Sequence, residues 1–168
     1  MTQLLIVDNF FSDPLLERDW ALSLPYPRSN FGKGNNNNRT DPLHEVSPNK
    51  FSQYKNLIYE KFEIKNPNFF TVIGMSFQYH LESEKPQVHF DEGWDFAGVV
   101  YLTPDAIKDS GTGFYQKNGD NFELVYQVDN VFNRATMYPA NLYHEGLNFF
   151  GNTKENSRLN LVFFARCS

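Results

Sequence analysis

The chain has 168 residues, of which 17% are aromatic and one is cysteine, and its net charge is −5. This length suits one domain with a sizeable core, which we expect to span residues 1–168. The single cysteine excludes an internal disulfide and a cysteine-based zinc site, and the acidic balance argues against nucleic acid as a partner. No run approaches the roughly 20 apolar residues of a membrane helix, and the N-terminus lacks signal-peptide features. We therefore expect a cytoplasmic protein with no membrane partner.

The first part of the chain predicts helices. Residues 12–14 (Ser-Asp-Pro) and 47–48 (Ser-Pro) are helix-start signals, and apolar residues recur at helical spacing after each. We expect a helical support over roughly residues 12–65. Between the two helices, residues 28–46 are rich in glycine and asparagine, which favours a loop. This loop is either a solvated surface segment or a mobile lid over a site.

From residue 69 the periodicity changes to two, which predicts strands. Apolar residues alternate with small or polar ones as far as residue 81. This alternation puts Tyr79 on the apolar face, which we expect to point inward, and turns His80 away towards a surface or hydrogen-bonding role. Further strands are expected at 96–102, 122–128, 135–138 and 158–165. The pattern indicates an α+β fold, mainly β, in which a closed or sandwiched antiparallel sheet forms a core over roughly residues 70–166.

The triplet His89-Phe90-Asp91 carries the first chemical signal. In an extended segment His89 and Asp91 point to one side, so both can bind one divalent metal ion. Alone the triplet is a weak signal. A second histidine would complete the two-histidine, one-carboxylate set of non-haem Fe(II) sites, which leaves coordination positions open.

His144 is the natural third ligand. It lies 55 residues after His89 and follows the turn that ends a strand, and a jelly-roll or cupin-like barrel brings such distant strand ends together. Arg158 follows at the start of the last strand, on the same face as Asn160. A buried arginine there is costly unless an anion pairs with it, and its planar fork suits a carboxylate. That anion is expected to be a co-substrate, unless Arg158 reaches solvent.

These motifs resemble those of the 2-oxoglutarate/Fe(II)-dependent dioxygenases, and most of all the prolyl-hydroxylase-like branch. The resemblance rests on three segments: residues 89–91 (HFD), 139–144 (PANLYH) and 157–162 (SRLNLV). Residues 74–79, 8–14 and 110–114 are also similar to that branch.

The resemblance implies a double-stranded β-helix core with N-terminal supporting helices. It also implies Fe(II) bound by His89, Asp91 and His144, with 2-oxoglutarate and O2 as co-substrates and with succinate and CO2 as products. Arg158 would bind the distal carboxylate of 2-oxoglutarate, and Tyr79 would hydrogen-bond the same molecule.

Several alternatives stay open in the sequence. Arg134 is the second candidate for the co-substrate anchor, since the gap from His144 to Arg158 is longer than is usual in the branch. Asn160 and Tyr101 are expected to line the pocket, Asn160 as part of the co-substrate site, and Trp94 either stacks on substrate or serves only in packing. The expected reaction is hydroxylation of a peptidyl, prolyl-like or small-molecule C–H bond. The competing classes are a cupin-like zinc or manganese hydrolase or isomerase, and a metal-binding barrel without catalysis.

Overall fold

The structure is a computed structural model that describes residues 3–27 and 38–168. These residues form three helices and nine strands. The helices are α1 (Pro14–Ser23), α2 (Leu43–Val46) and α3 (Pro48–Lys61). The strands are β1 (Leu5–Val7), β2 (Asn38–Arg39), β3 (Phe70–His80), β4 (Phe96–Tyr101), β5 (Thr112–Asn118), β6 (Asn121–Val128), β7 (Ala135–Pro139), β8 (Tyr143–Gly146) and β9 (Arg158–Cys167).

Both long helices begin where the sequence signals place them. The Asp13 carboxylate accepts a hydrogen bond from Leu16 N at 3.1 Å, and the Ser47 hydroxyl accepts from Lys50 N at 3.5 Å. Each cap is followed by a proline, which has no N–H to leave unpaired in the first turn. The two predicted helices are therefore confirmed as α1 and α3.

The strands form two antiparallel sheets. The large sheet has six strands in the order β1-β7-β4-β9-β3-β2, and the small sheet has three in the order β6-β5-β8. A single antiparallel bridge between His89 and His144 adds the segment around His89 to the edge of the small sheet at β8. This arrangement is the double-stranded β-helix expected from the sequence.

Two apolar clusters hold the layers together. The larger lies between the helices and the outer face of the large sheet, and it includes Tyr54 and Ile58 from α3 against Phe77 and Leu161. The smaller lies between the two sheets. Its members are Ala97, Val99, Tyr101, Phe114, Val128, Tyr138, Ala140 and Val162. Each strand of the large sheet therefore has a helix-facing side and a barrel-facing side.

Strand β3 shows the predicted alternation, but the side assigned to the barrel interior is the wrong one. Tyr79 pairs in register with Leu159 of the larger cluster and packs edge-on against Tyr26, at 5.1 Å between ring centroids. Gln78 and His80 point into the barrel instead. The apolar side of this strand packs against the helices, because the part of the barrel interior next to β3 is a polar pocket.

The predicted loop is partly structured. Residues 38–46 contain β2 and α2, and Thr40 and Leu43 are fully buried. Thr40 Oγ1 accepts from Phe77 N at 3.1 Å, which ties the segment to β3. A lid or open loop is therefore the wrong description of residues 38–46, while residues 28–37 lie outside the described part of the chain. Within residues 3–27 and 38–168, no helix is long and apolar enough to span a membrane.

The close packing of an aromatic ring against the backbone requires a glycine at position 98, in the middle of the large sheet. Gly98 of β4 pairs in register with Phe163 of β9, whose ring covers it. A β-carbon at Gly98 would lie 2.0 Å from Phe163 Cζ, whereas one at Gly74 of β3 would meet its nearest atom, on Trp94, at 3.7 Å.

We expect Gly98→Ala to destabilise the protein by about 1–3 kcal/mol, since the aromatic ring must leave its packed position. Gly74→Ala is the matched control and should be neutral or stabilising by up to about 1 kcal/mol through reduced chain entropy. Urea unfolding monitored by circular dichroism measures both. Equal effects of the two substitutions would show that ring packing does not constrain Gly98.

Candidate metal centre and co-substrate pocket

The three predicted metal ligands meet at one point. His89, Asp91 and His144 each offer a ligand atom, and these atoms lie within 4.8 Å of one another. His144 Nε2 is 3.3 Å from Asp91 Oδ2, and His89 Nε2 is 3.7 Å from Asp91 Oδ1. The His144 side chain is 7% exposed and that of His89 is 54% exposed. The site is therefore closed on the barrel side and open towards solvent at His89.

The backbone sets the orientation of both imidazoles. His89 Nδ1 donates to Gln87 O at 2.8 Å, and His144 Nδ1 donates to Leu142 O at 2.9 Å. A carbonyl can only accept, so the proton of each neutral ring lies on Nδ1, and Nε2 presents its lone pair to the site. Metal-ligating histidines depend on such an outer hydrogen bond.

The arrangement fits a divalent cation. Asp91 Oδ2 is buried and accepts no hydrogen bond from any described residue. The Asp91 carboxylate faces the Nε2 lone pairs of both imidazoles, His144 at Oδ2 and His89 at Oδ1, so electron-rich atoms converge without a proton between them. A cation at that point relieves both the repulsion and the missing hydrogen bond. Two nitrogens and a carboxylate oxygen suit iron, and they leave positions for further ligands.

A pocket of about 280 Å³ extends from this triad into the barrel. Its far end is polar and is built on adjacent strands: Gln78 pairs with Asn160 in register, and His80 pairs with Arg158. All four side chains are less than a tenth exposed. So much buried polarity in the interior of a barrel indicates a polar ligand.

Arg158 lies fully inside this pocket, as the sequence predicts, but its nearest partners are neutral. Its Nε donates to Ser110 O at 2.8 Å, and its Nη2 donates to Gly111 O at 2.9 Å. The ring of Tyr101 lies 5.6 Å from its guanidinium carbon. None of the described carboxylates pairs with it, and burial lowers its pKa. The Nε and Nη2 edge of the guanidinium is thus bound to backbone carbonyls that line the pocket.

The other edge of Arg158 faces Asn160. When the Asn160 amide is oriented so that both of its polar atoms are satisfied, its oxygen accepts from Arg158 Nη1 at 2.7 Å. Asn160 is 1% exposed and lines the pocket. Since an Nη group carries two hydrogens, the Nη1 group has a second N–H for a ligand. A single N–H at this edge differs from the two-pronged carboxylate contact expected from the sequence.

Two of the candidate co-substrate residues lie elsewhere. Tyr79 is outside the pocket, on the helix side of β3. Arg134 directly precedes β7 and does not line the pocket; its Nε donates to Asp8 Oδ1 at 2.6 Å and its Nη2 donates to Asp8 Oδ2 at 3.1 Å. This bidentate ion pair holds Arg134 at the end of β1, so Arg134 is not placed to bind the co-substrate carboxylate.

Tyr138 is a pocket residue that the sequence reasoning missed. Its ring is 3% exposed and contacts His144 edge-on, at 4.8 Å between centroids. Burial raises its pKa, with Asp91 raising it further and Arg158 lowering it, so the phenol is neutral and lies within the fields of both groups. The signal was available in the alternation of β7, where Thr136 and Tyr138 share a face.

A polar chain of four more residues was also missed: hydrogen bonds join Arg39, Gln78 and His80, and a longer contact links His80 to Glu84. Arg39 Nε donates to Gln78 Oε1 at 3.2 Å, and a short contact joins Gln78 Nε2 to His80 Nε2. Because the amide oxygen is used by Arg39, the amide N–H points at His80, whose Nε2 must accept. The ring proton is then on Nδ1, which lies 3.7 Å from a Glu84 carboxylate oxygen. His80 also stacks on Phe149, at 4.2 Å and 8°.

Comparison with solved structures gives the fold a context. A prolyl hydroxylase from Trichoplax adhaerens, described in complex with a hypoxia-inducible-factor peptide fragment, aligns with a TM-score of 0.69 and 12% identity over 98% of this chain and 83% of that one. A 2OG-Fe(II) oxygenase family protein from Burkholderia pseudomallei gives 0.61 and 15%, over 97% and 84% of the two chains. A Pseudomonas putida prolyl-4-hydroxylase gives 0.57 and 15%, over 100% and 94%.

No family model and no curated protein sequence matches the chain. The structural similarities, at 12–15% identity, show a fold shared with these oxygenases. The shared architecture includes nearly the whole of this chain and more than four fifths of each of these three structures.

We expect His89→Ala and His144→Ala each to weaken Fe(II) binding more than about 100-fold, since even loss of an outer hydrogen bond to a metal ligand costs about 10–100-fold. Anaerobic calorimetry with Fe(II), or Co(II) absorption as a proxy, measures the affinity. His44→Ala is the control, because His44 is an exposed histidine on α2. Wild-type affinity in both triad variants would show that the metal binds elsewhere.

The metal-free protein should lose stability in mild acid. Burial lowers the pKa of His80 and of His144, so the folded state binds fewer protons than the unfolded state, whose histidines titrate near about 6.5. The stability is fully present above that pH and falls as the pH drops below it. His80→Gln should reduce the loss between about pH 7.5 and 5 in urea unfolding. An unchanged slope would show that His80 is not a source of the pH dependence.

Proposed function

We propose that the protein is an Fe(II)- and 2-oxoglutarate-dependent oxygenase that hydroxylates a C–H bond, with release of succinate and CO2. The observation that carries the proposal is that the His89, Asp91 and His144 cluster shares one pocket with a buried Arg158, which pairs with none of the described carboxylates. The fold shared with prolyl hydroxylases and a 2OG-Fe(II) oxygenase family protein supports it.

The metal ligands would be His89, Asp91 and His144, with the histidines binding through Nε2. Iron bound there would supply the activation of O2 that couples oxidative decarboxylation of 2-oxoglutarate to hydroxylation of the substrate. The overall reaction balances: substrate C–H, O2 and 2-oxoglutarate give C–OH, succinate and CO2. The site opens to solvent on the His89 side, so the prime substrate is expected to enter there.

The protein's own groups bind and orient the co-substrate. Arg158 would bind its distal carboxylate through Nη1, supported by Asn160, while the carbonyls of Ser110 and Gly111 hold the guanidinium in place. Tyr138, which lines the pocket beside His144, would donate a hydrogen bond to the co-substrate, the role that the family resemblance implied for Tyr79. Val162 and the aromatic wall of the pocket exclude water around the reacting groups.

The competing classes predict a different response to 2-oxoglutarate. A cupin-like hydrolase or isomerase does not need a dicarboxylate between the metal and Arg158, and a barrel without catalysis has no turnover.

The prime substrate is proposed to be a peptide or a small molecule, as the prolyl hydroxylase described with a bound peptide suggests. Under anaerobic conditions the Fe(II) protein should develop a weak visible charge-transfer band on titration with 2-oxoglutarate. Absence of that band would contradict the oxygenase assignment.

Arg158→Gln should lose most 2-oxoglutarate affinity while Fe(II) affinity is kept, because removing one partner of a desolvated charge pair costs about 2–5 kcal/mol. Tyr138→Phe should weaken binding by roughly tenfold, the equivalent of one hydrogen bond to a charged group. Tyr79→Phe and Arg134→Gln are the controls and should leave the affinity unchanged. The charge-transfer titration measures all four. Loss in Arg134→Gln without loss in Arg158→Gln would place the anchor at Arg134.

A further inference from the structure

Two aromatic rings lie against the guanidinium of Arg158. Its carbon is 5.6 Å from the centroid of the Tyr101 ring and 5.7 Å from that of the Phe149 ring. Tyr101 is fully buried on β4, whereas Phe149 belongs to the connection between β8 and β9 and lines the pocket. The ring of His80 stacks on Phe149 at 4.2 Å and 8°. We name Tyr101, Arg158, Phe149 and His80 the arginine cluster.

A glycine makes room for the arginine cluster beside the metal ligands. His144 and Gly146 are two residues apart on β8 and share a face, so about 7 Å of strand separates them. A β-carbon at Gly146 would lie 2.6 Å from Phe149 Cε1 and 3.3 Å from Arg158 Cζ. Phe149 and Arg158 therefore meet at the far end of the pocket, at a distance from the triad that suits a five-carbon dicarboxylate.

The segment that carries Phe149 is fastened to the rest of the protein on two sides. Glu82 N donates to Gly151 O at 2.9 Å, which ties the segment to the turn after β3. Lys154 Nζ donates to Leu22 O at 2.7 Å, which ties it to α1. The ring of Phe149 is therefore held at the pocket by a fixed connection and is a permanent part of the wall.

Arg158 needs this packing because its protein hydrogen bonds hold it mainly at one edge. The carbonyls of Ser110 and Gly111 bind Nε and Nη2, and the two rings fill the space beside the guanidinium. The group cannot tilt about that edge without losing contact with a ring. An aromatic ring also stabilises a desolvated cation, which offsets part of the cost of burying Arg158.

We propose that Phe149 is a positioning residue for the co-substrate. By packing against Arg158 it fixes the direction of the free Nη1 N–H, and it thereby gives the pocket its preference for a 2-oxo acid with a second carboxylate. Phe149 acts through Arg158 and does not itself bind the carboxylate. The inference rests on the proposed function for the identity of the ligand, but it concerns a residue to which the proposed reaction gives no role.

The test compares two 2-oxo acids of equal length on the anaerobic Fe(II) protein, with the charge-transfer band as the readout. 2-Oxoglutarate carries a carboxylate at its far end, and 2-oxovalerate carries a methyl group there. The wild type should bind 2-oxoglutarate at least about 30-fold more tightly. Phe149→Leu should lower that ratio about tenfold, the scale of one desolvated cation–π contact, and should leave the affinities for 2-oxovalerate and Fe(II) unchanged.

Further variants connect the preference to the ring. Phe149→Tyr keeps an aromatic face and should keep the ratio. Gly146→Ala should lower the ratio as Phe149→Leu does, because its β-carbon displaces both the ring and the guanidinium. Phe150→Leu is the matched control, since it makes the same change at the neighbouring residue, which is not among the described residues that line the pocket. Thermal melts of each variant check that it is folded.

A second readout needs no co-substrate. The Nε–H of Arg158 is buried and bonded to Ser110 O, so its ¹⁵N NMR signal in the Zn(II) protein should exchange slowly with solvent. Arg158→Gln assigns this signal by its loss. Phe149→Leu should speed the exchange, because the guanidinium is then free to tilt, and Phe150→Leu should not.

The outcomes separate this inference from the proposed function. Absence of the band in the wild type would overturn the proposed function, and this inference with it. If the band forms but Phe149→Leu keeps the wild-type ratio, weakens both acids equally, or leaves the Nε–H exchange unchanged, the oxygenase assignment stands and the role of Phe149 is wrong. The same holds if Phe150→Leu lowers the ratio as much as Phe149→Leu.

Discussion

The site depends on one pair of backbone hydrogen bonds. His89 N donates to His144 O at 2.9 Å, and His144 N donates to His89 O at 2.8 Å. This exchange makes two residues 55 positions apart direct cross-strand partners, so their imidazoles leave the same face and meet at 4.5 Å between ring centroids. Asp91 follows two residues after His89 on that face, and its N donates to Ala140 O at 2.8 Å. The backbone ladder fixes all three ligands before any metal arrives.

Much of the fold and of the metal cluster could be predicted from the sequence, because the signals for them lie within short segments of the chain. Helix caps, proline positions and period-two alternation act over a few residues, and they located α1, α3, β3 and β9 well. The metal cluster was also predictable, because a His-x-Asp triplet on a strand and a histidine after a turn are patterns of residue type and spacing. These predictions assume that the sheets close into a barrel, but they do not depend on which residues line the helix-facing side and the barrel-facing side of each strand.

The errors came from long-range packing. Alternation shows that Tyr79 and His80 face opposite ways, but it does not show which side meets the helices and which meets the barrel interior. The apolar side of β3 was required by Phe10, Tyr54 and the rest of the helix-facing cluster, so the polar side was left to the pocket. Arg134 was excluded by Asp8, a residue 126 positions away. No local pattern contains that ion pair.

Buried polar and charged groups in the pocket lower the stability of the fold and provide contacts for a ligand. Arg158, His80, Glu84 and Asp91 are all removed from most solvent, and buried atoms of His80, Glu84 and Asp91 make no hydrogen bond within the described part of the chain. Each unmet group costs about 1–3 kcal/mol, which a well-packed apolar interior would not incur. A ligand that satisfies such groups binds the folded state alone, and its binding free energy is added to stability. The same unmet polarity that weakens the barrel therefore makes it selective for polar and charged ligands, since an apolar molecule of equal size would leave the groups unpaired.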